Sequence, residues 1–332
     1  MANTISVETN EMEKRKPRLV SIARGDKAEI FRSINKEAVA EGYEVLRAVN
    51  KTTPEDGDFF ELYQGKVDDL WNRFTTKVSG ADGFKNKKGT KKLIKVLESY
   101  QPDLIVVHFA HSHFLNFPLV VNYAKSHKIP LVFVANDCWV FTGKCPYFLG
   151  VNCLKWKTAC SHCPDKRNFP PALIFDGTKR LFKEKENLLS SFEGLTIVAP
   201  TKWTLGLLKE SFLKDRDTRL IYNGTNLSLF YPVDPSPLRK KLGLAESCHV
   251  LLSVARPWSA RKGLSYINYI ASKLDPNQYR CVVVGVGKND VTHPSIIRIE
   301  ERLSYEDFRQ VYSMADVFVN PTMVNSRLQR MT

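Results

Sequence analysis

Three short runs limit what this chain can become. DLIVVHF (103–109), PLVFVA (130–135) and LTIVAP (195–200) are almost unbroken in apolar, largely β-branched residues. A strand with one wet face alternates polar and apolar side chains, whereas runs of this kind need cover on both faces. Around them, KAEIFRSINKEAVAEGY (27–43), FPLVVNYAKSHK (117–128) and KWTLGLLKESFL (202–213) carry helical spacing. RLVSIAR (18–24), EVLRAV (44–49) and TRLIYN (218–223) supply further strands. Strands buried on both sides and joined by helices form a parallel sheet with helices on either face, the α/β class.

A second series follows the proline-rich connector NLSLFYPVDPSPLRKKLGL (226–244). It runs HVLLSVA (249–255), KGLSYINYIASKL (262–274), YRCVVVGVG (279–287), SIIRIE (295–300), SYEDFRQVYSMA (304–315) and DVFVNP (316–321). A chain of 332 residues has room for two such domains. The expected organisation is a polar tail at 1–17, a Rossmann-like domain at 18–225, a linker at 226–245 and a second Rossmann-like domain at 246–332. Ligands of such sheets bind beyond the carboxyl ends of the strands, so a crevice between facing domains is where function is expected.

The net charge of +14 favours anionic partners. Its densest source is FKNKKGTKKLIKVLESYQPD (84–103), a helix by spacing, with Leu93, Ile94 and Leu97 inward and lysines outward. That lysine face is either a solvated surface or an attachment to the inner face of an anionic membrane. MANTISVETNEMEKRKPR, the opening stretch, lacks the apolar core of a secretory signal, and Lys125, His127 and Lys128 interrupt the most apolar run. A cytoplasmic setting is the expectation, one in which disulfides are rare.

Five of the seven cysteines fall between 138 and 164. Cys145, Cys153, Cys160 and Cys163 are spaced C-x7-C-x6-C-x2-C, and Cys138 lies nearer the preceding strand. A loop this long with little core of its own needs a staple. Structural zinc on four thiolates, packed reduced thiols and disulfides all remain open readings.

Two other groupings carry chemistry. Arg261 and Lys262 precede Gly263 at the start of a helix. A helix start offers unpaired N–H groups and partial positive charge, a glycine lets backbone approach an anion, and two fixed cations complete a clamp for phosphates. Arg256, Gly285 and Gly287, with Asn320 and Thr322, sit at other strand ends of the same domain. In the first domain, His108, His111 and His113 follow a buried strand, and Asp137 follows another. Such groups suit hydroxyl binding or proton transfer near neutral pH, and equally suit structural hydrogen bonds.

Several stretches together resemble glycosyltransferase family 4, in particular the exopolysaccharide and colanic-acid subgroup. They are DLIVVHFAHSH with NDCWVFTGKCPYF and NCLKWKTACSHCP, then IVAPTKWTLGLLKESFL, RLIYNGTNLSLFYP, SVARPWSARKGL, VVVGVG and FRQVYSMADVFVNPT. The resemblance covers roughly residues 85 to 323. It implies a GT-B fold, a nucleoside-diphosphate-sugar donor, a saccharide or lipid-linked saccharide acceptor, and retention at the anomeric carbon with no catalytic metal. It further implies donor contacts from Arg261, Lys262 and Gly263 and from the junction at Asn320 and Thr322, beside the strand-end candidates Arg256, Gly285 and Gly287, and catalytic or acceptor roles for Asp137, His108 and His111; His113 matches nothing in it. Peripheral attachment to the plasma membrane fits such a role.

The chain departs from the family at three places. Position 136 is Asn where the family usually has His, and ARGDKAEIF keeps only Gly25 where the family has a glycine-rich loop. After NPT the sequence reads MVNSRLQRMT and stops, where the family continues with a helix bearing two glutamates, more sheet and a returning helix. The second domain is therefore expected to be incomplete. Two further readings stand beside a transferase: a truncated, non-catalytic binding remnant of the same fold, and a zinc-containing nucleic-acid-binding module. Nucleic acid is not the expected partner, because basic and aromatic residues are not interleaved on a sheet face.

Overall fold

The computed structural model describes residues 15–25, 29–51 and 58–322. Most of the polar tail, part of the ARGDKAEIF turn and the closing MVNSRLQRMT lie outside them. Contacts divide the chain into two compact units. The first runs to Cys145 and resumes from Lys155 to Ile221; the second takes Tyr222 onward together with the segment Pro146–Leu154.

The first unit holds β1 (Arg18–Gly25), α1 (Glu29–Ala40), β2 (Glu44–Lys51), β3 (Phe59–Glu61), α2 (Lys66–Ser79) and α3 (Lys87–Tyr100). It continues with β4 (Leu104–Val107), α4 (Phe117–Ser126), β5 (Leu131–Val134), α5 (Thr178–Ser190), β6 (Leu195–Ala199), α6 (Lys202–Lys209) and β7 (Asp217–Leu220). The strands form one seven-stranded sheet in the order β3-β2-β1-β4-β5-β6-β7, all neighbours parallel. Val20, Ile22, Ile105, Val107, Leu131 and Ile197 are fully buried, as the apolar runs require. The direction of strand addition reverses between β1 and β4, which pair with Leu19 opposite Leu104. At such a reversal the loops leaving the two strands diverge and open a crevice at their carboxyl ends.

Helix α3 behaves as its spacing predicts. Leu93 and Leu97 are buried, Ile94 is half-buried, and Lys87, Lys88, Lys91, Lys92 and Lys95 are exposed. Its start is fixed by Asn86, in a left-handed conformation at φ 46°. The Asn86 side-chain oxygen accepts from Gly89 N, while its amide nitrogen donates to the carbonyls of Leu62 and Phe114. One buried amide thus caps the helix and ties it to the loop after β4.

The second unit holds α7 (Ser236–Lys241), β8 (His249–Val254), α8 (Leu264–Ala271), β9 (Tyr279–Val284), β10 (Ile297–Ile299), α9 (Tyr305–Ser313) and β11 (Val317–Phe318). Its four-stranded parallel sheet has the order β10-β9-β8-β11, so the reversal falls between β8 and β11. Val250, Leu252, Val282 and Val284 pack one face against Val311 and Met314; Val283 and Cys281 pack the other against Ile267 and Trp258. The helix expected at 262–274 starts later, because Gly263 at φ 77° separates a 3-10 turn, Ala260–Lys262, from α8.

Candidate functional site

The loop leaving β4 at the reversal point carries the histidines, and the loop leaving β5 carries Asp137. His111 Nε2 and Asp137 Oδ2 lie 2.7 Å apart, and the other carboxylate oxygen accepts from the Trp139 backbone N–H at 2.9 Å. The His111 ring is boxed by Phe109, Trp139 and Phe169, with centroids 3.9, 5.9 and 5.8 Å away. His111 is only 5% exposed, and its Nδ1 has no partner. With the proton of the imidazole on the nitrogen facing the carboxylate, Nδ1 presents a lone pair. That is the arrangement of a base or hydroxyl acceptor whose orientation is fixed by a carboxylate.

His108 sits apart from that pair. Its ring packs edge-on against Phe31, its Nε2 has no partner, and burial pushes its pKa down to about 4. Asn136 donates its side-chain amide to the His108 carbonyl at 3.1 Å, so the unusual residue at 136 is a structural brace here. The sequence pairs His108 with His111; the structure gives the carboxylate to His111 alone. An unfolded imidazole takes its proton near pH 6.5 and this one near pH 4, so protonation favours the unfolded chain between those values. Stability should fall by about 2 kcal/mol from pH 7.5 to pH 5. Urea melts at the two pH values check this, and His108→Leu should remove that share of the loss.

His113 donates its backbone N–H to Asp82, and its side chain is less basic than usual, first through burial and then through Arg73 and Arg24. Gly83, next to Asp82, has φ 80°, and a methyl built on it would run into the indole of Trp139 and approach the Ala110 carbonyl to 3.2 Å. Two lysines that sequence reading passed over lie deeper. Lys144 is fully buried and donates to the carbonyls of Asp165 (2.7 Å) and Asn168 (3.1 Å). Lys185, also fully buried, donates to the Trp139 carbonyl and stands 4.1 Å from the centroid of its ring. Burial drives the Lys185 amine down to about 7, although Cys160 and Cys145 nearby oppose the shift.

The cysteines do not meet as a metal set. All seven are free thiols. Cys145 and Cys163 share a hydrogen bond, which lowers the Cys163 pKa and, with burial, raises that of Cys145. Cys160 instead accepts from Gly143 N at 3.2 Å. Among the described residues no three His, Cys, Asp or Glu side chains come together to hold a metal ion. Along this stretch Trp139, Phe141, Phe148 and Trp156 are buried, and three short 3-10 turns provide local structure.

In the second unit, the candidates form two neighbouring groups at the carboxyl ends of the strands. Arg256 and Gly285 line a cavity of about 400 Å³, together with Glu301, Arg302, Tyr305 and Phe308. Gly285 has φ 78°, and a methyl there would strike the Ala255 carbonyl, so the ends of β8 and β9 close together only with glycine. Trp258 fixes the floor by donating Nε1 to the Val284 carbonyl at 3.0 Å. The other group is the turn bearing Arg261 and Lys262. A methyl on Gly263 would stand 2.6 Å from the Pro321 carbonyl, which places the start of α8 against the stretch from Asn320 to Thr322. Asn320 Oδ1 accepts from the Thr322 N–H and hydroxyl at 3.2 and 2.6 Å. The Arg261 guanidinium lies 4.2 Å from the ring centroid of Tyr147, a residue of the same unit. Gly287 is drawn elsewhere: its N–H goes to Asp290 and its carbonyl accepts from Arg298.

Comparison with known proteins bears on this architecture. No family model matches the chain. Over 138 residues it is 30% identical to WcaC of Escherichia coli, whose name assigns it to glycosyl transfer in colanic acid biosynthesis; the match takes in 38% of this chain and 32% of WcaC. The chain thus spans about a third of the length of that curated relative. Sucrose-phosphate synthase of Thermosynechococcus elongatus superimposes with a TM-score of 0.61 at 16% identity, over 95% of this chain and 77% of its own. The fold is GT-B. WaaG, a glycosyltransferase involved in lipopolysaccharide biosynthesis, gives a TM-score of 0.57 at 12% identity over 93% of this chain and 76% of its own. Anabaena HepE, solved in complex with UDP-glucose, gives 0.55 at 15% over 94% and 76%. At these identities the likeness to GT-B structures is one of architecture.

Proposed function

We propose that the chain is a glycosyltransferase that moves a sugar from a nucleoside-diphosphate donor to a growing, lipid-linked polysaccharide, with retention at the anomeric carbon. The observation that carries this reading is the turn Ala260–Lys262. It sets two cations at the N-terminus of α8, where a left-handed Gly263 presses that turn onto the end of the neighbouring strand. A departing diphosphate needs charge held ready at a helix start, and Arg261 can fork onto its oxygens while Lys262 supplies a point charge. The cavity beside Arg256 and Gly285 has the volume and the mixed lining suited to a nucleoside. In the other unit, His111 braced by Asp137 supplies an acceptor-side base. The identity shared with WcaC, together with HepE's complex with UDP-glucose, supports a sugar nucleotide as donor and polysaccharide assembly as the setting.

Melting the protein in the presence of UDP, GDP or ADP tests the reading. One of the three should raise the melting temperature in a saturable way, and the matching sugar nucleotide should be consumed when saccharide acceptor is supplied. Failure of all three to shift the melt overturns it. Binding without any turnover would favour a non-catalytic binding protein of the same fold.

A further inference from the structure

Helix α2 is inside out. Apart from Val78, its buried and half-buried positions are polar: Thr76 is 3% exposed, Asn72 accepts from the Asn86 backbone N–H at 3.1 Å, and Asp68 pairs with Lys88 at 2.9 Å. Its other apolar residues face outward, with Val67 82%, Leu70 68%, Trp71 64% and Phe74 55% exposed. At 3.6 residues per turn, positions 67, 70, 71 and 74 form one stripe. The stripe does not stop at the helix end. Backbone hydrogen bonds from Leu173, Ile174 and Phe175 to the carbonyls of Lys77 and Val78 fasten a second exposed apolar segment there. These three side chains are 61 to 66% exposed. Apolar surface so concentrated marks a binding face.

Charge identifies the occupant. Lys66 and Lys77, both exposed, border the stripe on one side by helical position, and Lys88 borders it on the other through Asp68. Beyond Lys88 stand the exposed lysines of α3. Lys85 lies close enough to Arg180 and Lys87 for their charges to add to burial in lowering its pKa. Trp, Phe and Leu on one face with cations along the flanks is the pattern of a helix lying in the headgroup layer of an anionic bilayer. Among the described residues no helix is long and apolar enough to cross a membrane.

We infer that α2 and the 173–175 segment form an interfacial anchor that seats the first unit on an anionic lipid surface. Phe169, 51% exposed and with its ring centroid 5.8 Å from that of His111, belongs to the same loop as 173–175, so that loop reaches from the anchor to the His111–Asp137 pair. The anchor rests on the first unit alone and does not depend on nucleotide binding. A chain that binds nucleotide but ignores vesicles would lose this inference and keep the proposed function.

The test is co-sedimentation of the full chain with vesicles of phosphatidylcholine and phosphatidylglycerol (3:1) and of phosphatidylcholine alone. Partitioning to the anionic vesicles is expected, weakening as salt rises, with a blue shift of tryptophan emission. Trp139, Trp156 and Trp258 are buried and Trp203 is half-buried, so Trp71 is the indole free to change its environment. Trp71→Phe should keep binding and lose the shift. Trp71→Glu with Phe74→Glu, at exposed positions and with an unchanged urea melt, should weaken partitioning on the order of a hundredfold. Equal binding to neutral vesicles, unaltered binding by the double variant, or no binding at all overturns the inference. So does a lipid-free dimer that the double variant dissolves, which would make the occupant a second copy.

Discussion

Alanine at both 261 and 262 is expected to abolish the nucleoside-diphosphate shift in melting temperature and to cut transfer on the order of a hundredfold or more. The estimate follows from what a single well-placed donor to developing charge is worth in other enzymes, about 10²–10³ in rate. Both cations sit in one 3-10 turn whose geometry is set by backbone, with Lys262 N donating to Ser259 O at 2.8 Å and Gly263 N to Ala260 O at 3.2 Å. Neither replacement removes a buried apolar side chain, so the melt without ligand should stay within about 1 kcal/mol of the parent. Loss of the shift in the double variant, set against an unchanged shift in a control at exposed Lys240 on α7, separates a local clamp from the general basic charge. A double variant that still shows the full shift would place the diphosphate elsewhere, and the cavity at Arg256 would be the next candidate.

The second large effect is expected at Asp137. In Asp137→Asn the amide oxygen can keep the Trp139 N–H, but an NH2 group then faces His111 Nε2. The imidazole has to turn its lone pair toward that amide and put its proton on Nδ1. A base becomes a donor without any change in shape. Turnover should fall by about 10²–10⁴, the usual contribution of a positioned base, while the nucleotide shift in the melt is retained. The split between lost kcat and preserved nucleotide binding is what a merely structural carboxylate would not produce. Turnover within twofold of the parent would remove His111 and Asp137 from the chemistry.

Much of the architecture was legible because burial on both faces leaves a plain mark. DLIVVHF, PLVFVA and LTIVAP each appear as strands within a residue or two of where the runs stand. The missed elements fail for an equally physical reason. Helix α5 reads TKRLFKEKENLLS, which looks like a solvated, lysine-rich stretch. Its face Leu181, Phe182, Lys185 and Leu189 is buried, and the lysine in that stripe is the signal that went unread. Helix α2 was lost because its pattern points the wrong way for a core helix, so periodicity alone could not say which face is inward. For the site, chain position located the histidines and Asp137 at strand ends, and likewise the turn at 261–263. It could not say which histidine meets the carboxylate, because that depends on side-chain direction in an irregular loop. Nor could cysteine spacing show that Cys145 and Cys163 pair.

The contact between Gly83 and the indole of Trp139 constrains how this protein can diverge. Any side chain at 83 collides with a large ring whose own place is held by Phe117, Phe84 and the ammonium of Lys185. Drift at the two positions therefore has an order: the ring must shrink before the glycine can change, and the intermediate carries a void. Descendant lineages should swap the pair together or keep both, a linked history readable from genomes without a single coordinate.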